Sequence, residues 1–207
     1  MKVLAIGDIH TKIWIIDKVS EIVNKYDRVI LIGDYADEWN MSVFDNIKTW
    51  EAVKAFQETY KNVITLMGNH DYDYVRPSHN AKRLSEMTYL ILGFPENRDL
   101  KDWVTDLPIS VVLDDVTYSH AGITEKWLSL EEKDLYQKCS PIWARPGYNE
   151  YVPGKQVFGH TPQKTCKEVK PEAWCIDTFS KDPYGRNIGD NSVLEIINGK
   201  EFNVIEL

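Results

Sequence analysis

Cysteine is scarce in this sequence: three in 207 residues, Cys139, Cys166 and Cys175. The number is odd and no CxxC pair occurs, which leaves a disulfide framework or a cysteine zinc site without support. The three thiols are expected to be buried and idle. No apolar run reaches the roughly 18 residues that a membrane-spanning helix requires, and strand-like sequence starts at Lys2 with no leader pattern before it. A cytoplasmic location, away from membrane, is the expectation. Positive charge is also in the minority, with 24 Lys and Arg against 32 Asp and Glu, a formal net charge of −8. No basic block is available to neutralise a run of phosphates, so nucleic acid is not an expected partner, although a nucleotide held through metal is compatible. Internal repeats and low-complexity linkers are missing as well, and residues 1–207 read as one domain.

The chain has an ample supply of core-forming residues, 43% of the total, and they recur at two periods. "KVLAIG", "RVILIG" and "NVITLMG" are short β-branched runs that stop at glycine, the pattern of strands buried on both faces. Between them lie two helical patterns. Ile15, Ile16, Val19, Ile22 and Val23 form one stripe, and Val43, Ile47, Trp50, Val53, Phe56 and Tyr60 form another. Residues 76–108 are less regular, with a helix expected near Lys82 to Met87. Seven strand-like segments follow: "PISVVL", "VTYSHAG", "KQVFGH", "KTCKEV", "AWCIDT", "SVLEII" and "EFNVIEL". The expected fold is α/β, two packed β-sheets flanked by helices.

Five of these strands end in the same kind of chemistry. The first three run into "GDIH" (Gly7 to His10), "GDYAD" (Gly33 to Asp37) and "GNHD" (Gly68 to Asp71), and two later ones into "SHAG" (Ser119 to Gly122) and "GHTP" (Gly159 to Pro162). Ligand sites of parallel α/β sheets lie off the carboxyl ends of strands, so these groups are expected to converge although far apart in sequence. Asp8, His10, Asp34, Asn69, His120 and His160 together mix carboxylate, imidazole and amide oxygen. That mixture suits divalent Mn, Fe or Zn better than Ca or Mg. Six ligands are too many for one ion. If Asp34 bridges, Asp8 and His10 complete one side of a pair and Asn69, His120 and His160 the other, with the ions about 3.5 to 4 Å apart. Such a pair activates water near neutral pH and clamps phosphoryl oxygens, which is the chemistry of phosphoester hydrolysis.

The ordered motifs, D-x-H, GD-x-x-D, GNHD and two later histidines, resemble the calcineurin-like metallophosphoesterase superfamily over residues 8–162. "IDT" at Ile176 to Thr178 is similar to its final core strand. The nearest branch by motif is the serine/threonine protein phosphatases of small bacteriophage and bacterial type, with the related dinucleoside tetraphosphatases, which also carry GHTP. The resemblance implies a four-layer sandwich. It puts Asp8 and His10 on a first metal, Asp34 between both, and Asn69, His120 and His160 on a second. It makes His70 the general acid and Asp37 the carboxylate that orients it, and manganese is the first choice of metal. Pro162 stands where many relatives outside this branch have a further histidine, so the first metal would have fewer protein ligands.

The branch's usual phosphate-gripping arginines are missing: Glu38 and Trp39 replace one Arg-Gly, and Met67 replaces the arginine before GNH. "SPIWARPGY" is similar to the branch's later phosphate-binding stretch, which makes Arg145 the leading substrate-binding candidate, with Arg76 behind it. His79 reads as a surface residue, and the aromatics Tyr35, Trp39, Tyr72 and Tyr74 read as loop packing before base stacking. The first functional reading is hydrolysis of phosphomonoesters. The alternative is a phosphodiesterase or dinucleoside-polyphosphate hydrolase, and the non-enzyme alternative is a metal-loaded interaction scaffold. A two-carboxylate glycosidase leaves the histidines without a role.

Overall fold

The computed structural model describes residues 1–39, 41–76 and 91–207. Ten strands form two mixed five-stranded sheets. The first sheet contains β1 (Lys2–Ile6), β2 (Arg28–Leu31), β3 (Val63–Thr65), β9 (Ser192–Ile197) and β10 (Glu201–Glu206), in the order β10-β9-β1-β2-β3. The second contains β4 (Ser110–Leu113), β5 (Val116–Ser119), β6 (Lys155–Phe158), β7 (Lys167–Lys170) and β8 (Ala173–Cys175), in the order β4-β5-β6-β8-β7. Within them, β1, β2 and β3 run parallel, as do β5, β6 and β8. The remaining strands pair antiparallel at the margins.

Alternation along β1 shows how the layers are built. Val3 and Ala5 point into the space between the sheets, where Ile30, Ile32, Leu194 and Ile196 meet Val116, Tyr118, Val157 and Ile176 of the second sheet. Leu4 and Ile6 point the other way, onto helices. There α1 (Trp14–Ile22) buries Ile15, Ile16 and Val19, and α2 (Val43–Thr59) buries Ile47, Trp50, Val53 and Phe56. Each such side chain removed from water contributes on the order of 2 kcal/mol. Ser42 starts α2 with a capping box, its hydroxyl accepting from the Asp45 amide while the Asp45 carboxylate accepts from the Ser42 amide. On the other face of the second sheet, Ala144 and Tyr151, from the segment that follows the short α5 (Glu125–Ser129), pack with Phe158 and Cys175. The expected two-sheet sandwich with flanking helices is the observed architecture.

Three helices depart from the sequence reading: the short α5, which lies where only strand-like segments were expected, and two others. The supposedly irregular middle contains α4 (Arg98–Thr105), whose buried side chains are Leu100 and Val104, one turn apart in an otherwise polar stretch. "GNHD", placed from sequence only at a strand end, opens α3 (Asn69–Val75). The helix expected near Lys82 to Met87 and the surface reading of His79 lie outside the described residues. Cys139, Cys166 and Cys175 are all buried and free, as expected. Among the described residues no helix is long and apolar enough to cross a membrane.

Candidate metal centre

The six strands that run parallel within their sheets each deliver a polar residue just past their carboxyl end. β1 delivers Asp8 and His10, β2 Asp34 and Asp37, β3 Asn69 and His70, β5 His120, β6 His160 and β8 Asp177. The loops after β1 and β2 are joined by backbone bonds, the His10 amide donating to the Asp34 carbonyl at 2.8 Å and the Thr11 amide to the Tyr35 carbonyl at 2.7 Å. His10, Asp34, Asp37 and His160 all have left-handed backbones, with φ of 44°, 54°, 68° and 63°. Strained conformations on residues other than glycine persist where surrounding contacts enforce them, and here four fall in one site. Glycine permits the close packing of these turns. A Cβ on Gly68 would lie 2.1 Å from the Asp34 backbone nitrogen, and one on Gly159 would lie 2.0 Å from Asp8 Oδ1.

Asp71, the last residue of "GNHD", holds these turns from behind. Its carboxylate accepts from the Asp34 amide (2.7 Å), the Tyr35 amide (3.1 Å), the Gly68 amide (3.1 Å) and the Trp50 indole (2.8 Å). Burial, with the Asp34 charge nearby, pushes it up to about 6. Asp71→Ala would strand five buried donors, the Ala36 amide at 3.4 Å being the fifth, each worth about 1 to 3 kcal/mol. With partial relaxation the expected loss is about 4 kcal/mol, read from denaturant unfolding; a change below about 1 kcal/mol would contradict this role.

In front of Asp71 the functional atoms converge on Asp34. Its Oδ2 lies 3.2 Å from His120 Nε2 and 4.0 Å from both His10 Nε2 and His70 Nε2. His120 Nε2 is also 2.9 Å from Asn69 Oδ1 and 3.3 Å from His160 Nδ1. Two sets of ligand atoms each fit within 4.8 Å, Asp8 with His10 and Asp34, and Asp34 with His120 and His160. Asp34 belongs to both.

Backbone carbonyls fix how these imidazoles point. His120 Nδ1 faces the Ile32 carbonyl at 3.1 Å, and His10 Nδ1 faces the carbonyls of Ala36 (3.1 Å) and Asp37 (2.6 Å). Carbonyls only accept, so Nδ1 carries a proton in both rings, and whenever a ring is neutral it presents a lone pair from Nε2 towards Asp34. In His120 that lone pair meets two further acceptors, Asn69 Oδ1 and Asp34 Oδ2. Lone pairs facing lone pairs are unfavourable until a cation stands between them, so the residues fit a metal. Electrostatics agree. Burial, with the charges of Asp177 and Asp34, pushes the Asp8 carboxyl well above its ordinary range, and Asp177 is raised chiefly by its own burial. Burial lowers His10, and it lowers His160 strongly. Asp34 goes the other way. Burial alone would raise it, but positive charge on the surrounding histidines, His120 first, outweighs that and holds it far below the carboxylate range, so this carboxylate draws positive charge from imidazolium or from a metal ion alike. Crowded acids around a carboxylate that gains this much from positive charge make a site suited to a cation.

The remaining candidates line the cleft over these atoms, a cavity of about 310 Å³ that includes Asp37, His70, Arg145, Asp177 and Lys181. His70 Nδ1 is 2.6 Å from Asp37 Oδ2. Asp177 was absent from the expected ligand set, yet it is buried, its Oδ1 has no hydrogen-bond partner among the described residues, and it follows β8 as the others follow their strands. Its position in "IDT", at a strand end, was the available signal. Arg145 faces the cleft; Arg76 does not line it and ends α3 at the surface. Glu38, which stands where the branch usually has arginine and would by itself repel a phosphate, is paired with Lys12, which offsets its charge. Tyr35 and Tyr74 are buried packing residues as expected, whereas Trp39 is 51% exposed at the cleft, its indole donating to the Lys181 carbonyl at 3.1 Å.

The family model for calcineurin-like phosphoesterases matches residues 1–202. The chain belongs to the calcineurin-like phosphoesterase family. Its motifs D-x-H, GD-x-x-D, GNHD, SHAG and GHTP are therefore family motifs, and the family's centre is a pair of divalent ions, for which the two ligand groups sharing Asp34 are suited. Among curated relatives, a symmetrical bis(5′-nucleosyl)-tetraphosphatase of Vibrio campbellii is 27% identical over 145 residues, 68% of this chain and 50% of the relative. One from Actinobacillus pleuropneumoniae is 22% identical over 191 residues, 87% of this chain and 67% of the relative. The chain thus spans half to two thirds of their length. Among solved structures, a cold-active protein-tyrosine phosphatase from a psychrophilic Shewanella superposes with a TM-score of 0.67 at 16% identity, covering 99% of this chain and 80% of that one. A Saccharomyces cerevisiae serine/threonine phosphatase gives 0.62 at 14% identity, covering 100% and 80%. A putative diadenosine tetraphosphatase gives 0.59 at 19% identity, covering 99% and 92%. These structures share the fold.

Proposed function

We propose that this chain is a metal-dependent hydrolase that cleaves the phosphoanhydride of dinucleoside polyphosphates. The convergence of two ligand groups on one Asp34 oxygen carries the chemistry, and the curated tetraphosphatase relatives favour this substrate class. The order of the two enzymatic readings made from sequence therefore reverses, with phosphomonoester hydrolysis now second. In this reading Asp8, His10 and Asp34 hold one cation, with Asp177 beside it, and Asp34, Asn69, His120 and His160 hold the other. Mn²⁺ is the ion proposed, with iron or zinc as alternatives. When bound, the pair supplies Lewis-acid stabilisation of phosphoryl oxygens and activation of water. Asp37 holds His70 by Nδ1, which leaves Nε2 on the Asp34 side of the cleft, where it delivers a proton to the departing phosphate oxygen. Arg145 steadies the phosphate chain from the opposite wall.

The test is product analysis with Mn²⁺ and diadenosine tetraphosphate, beside p-nitrophenyl phosphate, its bis-ester and a phosphopeptide. Two molecules of ADP per substrate, at the highest kcat/KM of the set, is the expected outcome. A higher kcat/KM on the phosphopeptide or monoester restores the first reading, and a metal-loaded but inert protein supports an interaction scaffold. Chelation by EDTA should remove activity and lower the melting temperature, both restored by Mn²⁺. At a free ion concentration of 100 Kd, binding stabilises the fold by about 2.7 kcal/mol per site. An unchanged melting temperature after complete metal removal would contradict the site's dependence on cations.

A further inference from the structure

A second cavity, of about 720 Å³, adjoins the metal cleft and lies within the size range of small-molecule sites. Arg145 lines both cavities, and Trp143, in the wall of the second, sets its ring edge against His160 at 5.7 Å between centroids. Lys126, Lys138 and Arg145 line this second cavity, and among the described residues no carboxylate does. In a chain with a net charge of −8, a cavity lined by three cations selects an anion. Its wall is also aromatic, with Trp143 and with Tyr148, which is 87% exposed at the rim and so available to a ligand.

We infer that this cavity seats one nucleoside phosphate half of the substrate. A purine packs against Tyr148 and Trp143, and its phosphates lie along Lys126, Lys138 and Arg145 towards the metals. The inference deepens the phosphoanhydride reading and rests on it for the substrate class.

Tyr148→Ala and Lys138→Ala test it, since both side chains are exposed and neither belongs to the catalytic set. With diadenosine tetraphosphate, each variant should raise KM about tenfold. Turnover of p-nitrophenyl phosphate should stay within about twofold of wild type, and competitive inhibition by ADP should weaken about tenfold. If wild type cleaves the dinucleotide and both variants keep its KM, the nucleotide seat is wrong while the hydrolase reading stands. If wild type cleaves only simple phosphoesters, the hydrolase reading of the substrate falls. The seat then stands if ADP still inhibits and the variants weaken that inhibition, and falls if they do not. A phosphopeptide whose turnover drops in the variants, with ADP without effect, overturns the inference in favour of peptide docking.

Discussion

Asp34→Asn is expected to lower hydrolysis by at least about a thousandfold, on the order of 4 kcal/mol of transition-state stabilisation. The size of the effect follows from the position of Oδ2, which His120, His10 and His70 all approach within 4.0 Å and which completes both ligand groups. Asparagine keeps the shape and can still accept the 2.9 Å bond from the His70 amide with its one oxygen. It also tolerates the left-handed backbone at φ 54°. What it removes is the charge that two cations would share. The variant should therefore fold and melt like the metal-free wild type while binding fewer ions. Activity within tenfold of wild type at full metal occupancy would contradict the bridging role.

His70→Asn should have the next largest effect, and its size depends on the leaving group. The His70 amide bond to Asp34 is made by the backbone, so the substitution removes the imidazole and its contact with Asp37 while α3 keeps its place. A departing alkoxide needs a proton badly, and loss of the acid should cost roughly 10⁴-fold on an alkyl phosphomonoester. A departing nucleoside diphosphate leaves on a phosphate oxygen with a pKa near 6, a far weaker base. On diadenosine tetraphosphate the same substitution should cost only about 10²-fold. Equal losses on both substrates would mean that His70 positions phosphate and does not supply the proton, and wild-type rates on both would remove it from catalysis.

The site was more legible than the elements that carry it. Glycine-bounded β-branched runs and period-3.6 stripes located the first three strands and the first two helices because those segments are buried. Helix α4 escaped because its burial rests on Leu100 and Val104 in a polar setting. Helix α3 escaped because its first residues are spent on the site: Asn69 and His70 face the cluster, and Asp71 turns back to bind the Asp34 and Gly68 amides. The expected metal ligands could be named because each lies just past a short apolar strand, a local signal, whereas His70, Asp37 and Arg145 came from the family resemblance. Relations between loops are not local. Lys12 neutralises Glu38 across 26 positions of sequence, so Glu38 read alone looks repulsive. Asp177 obeys the strand-end pattern, but its neighbours are not histidines, and only the parallel pairing of β6 with β8 shows that it shares the cleft with Asp8. Substrate selectivity was least legible, because the cavity that Arg145 joins to the cleft is assembled from Lys126 in α5 and from residues 130–149, which carry little periodic signal.

Metal stoichiometry reaches the centre most directly. Wild type and Asp34→Asn are stripped with chelator, saturated with Mn²⁺, freed of excess ion and measured for manganese per chain by elemental analysis. Two ions per wild-type chain, and one or fewer in the variant, are the values expected if both cations share Asp34. A single ion in saturated wild type, or two in both proteins, contradicts it.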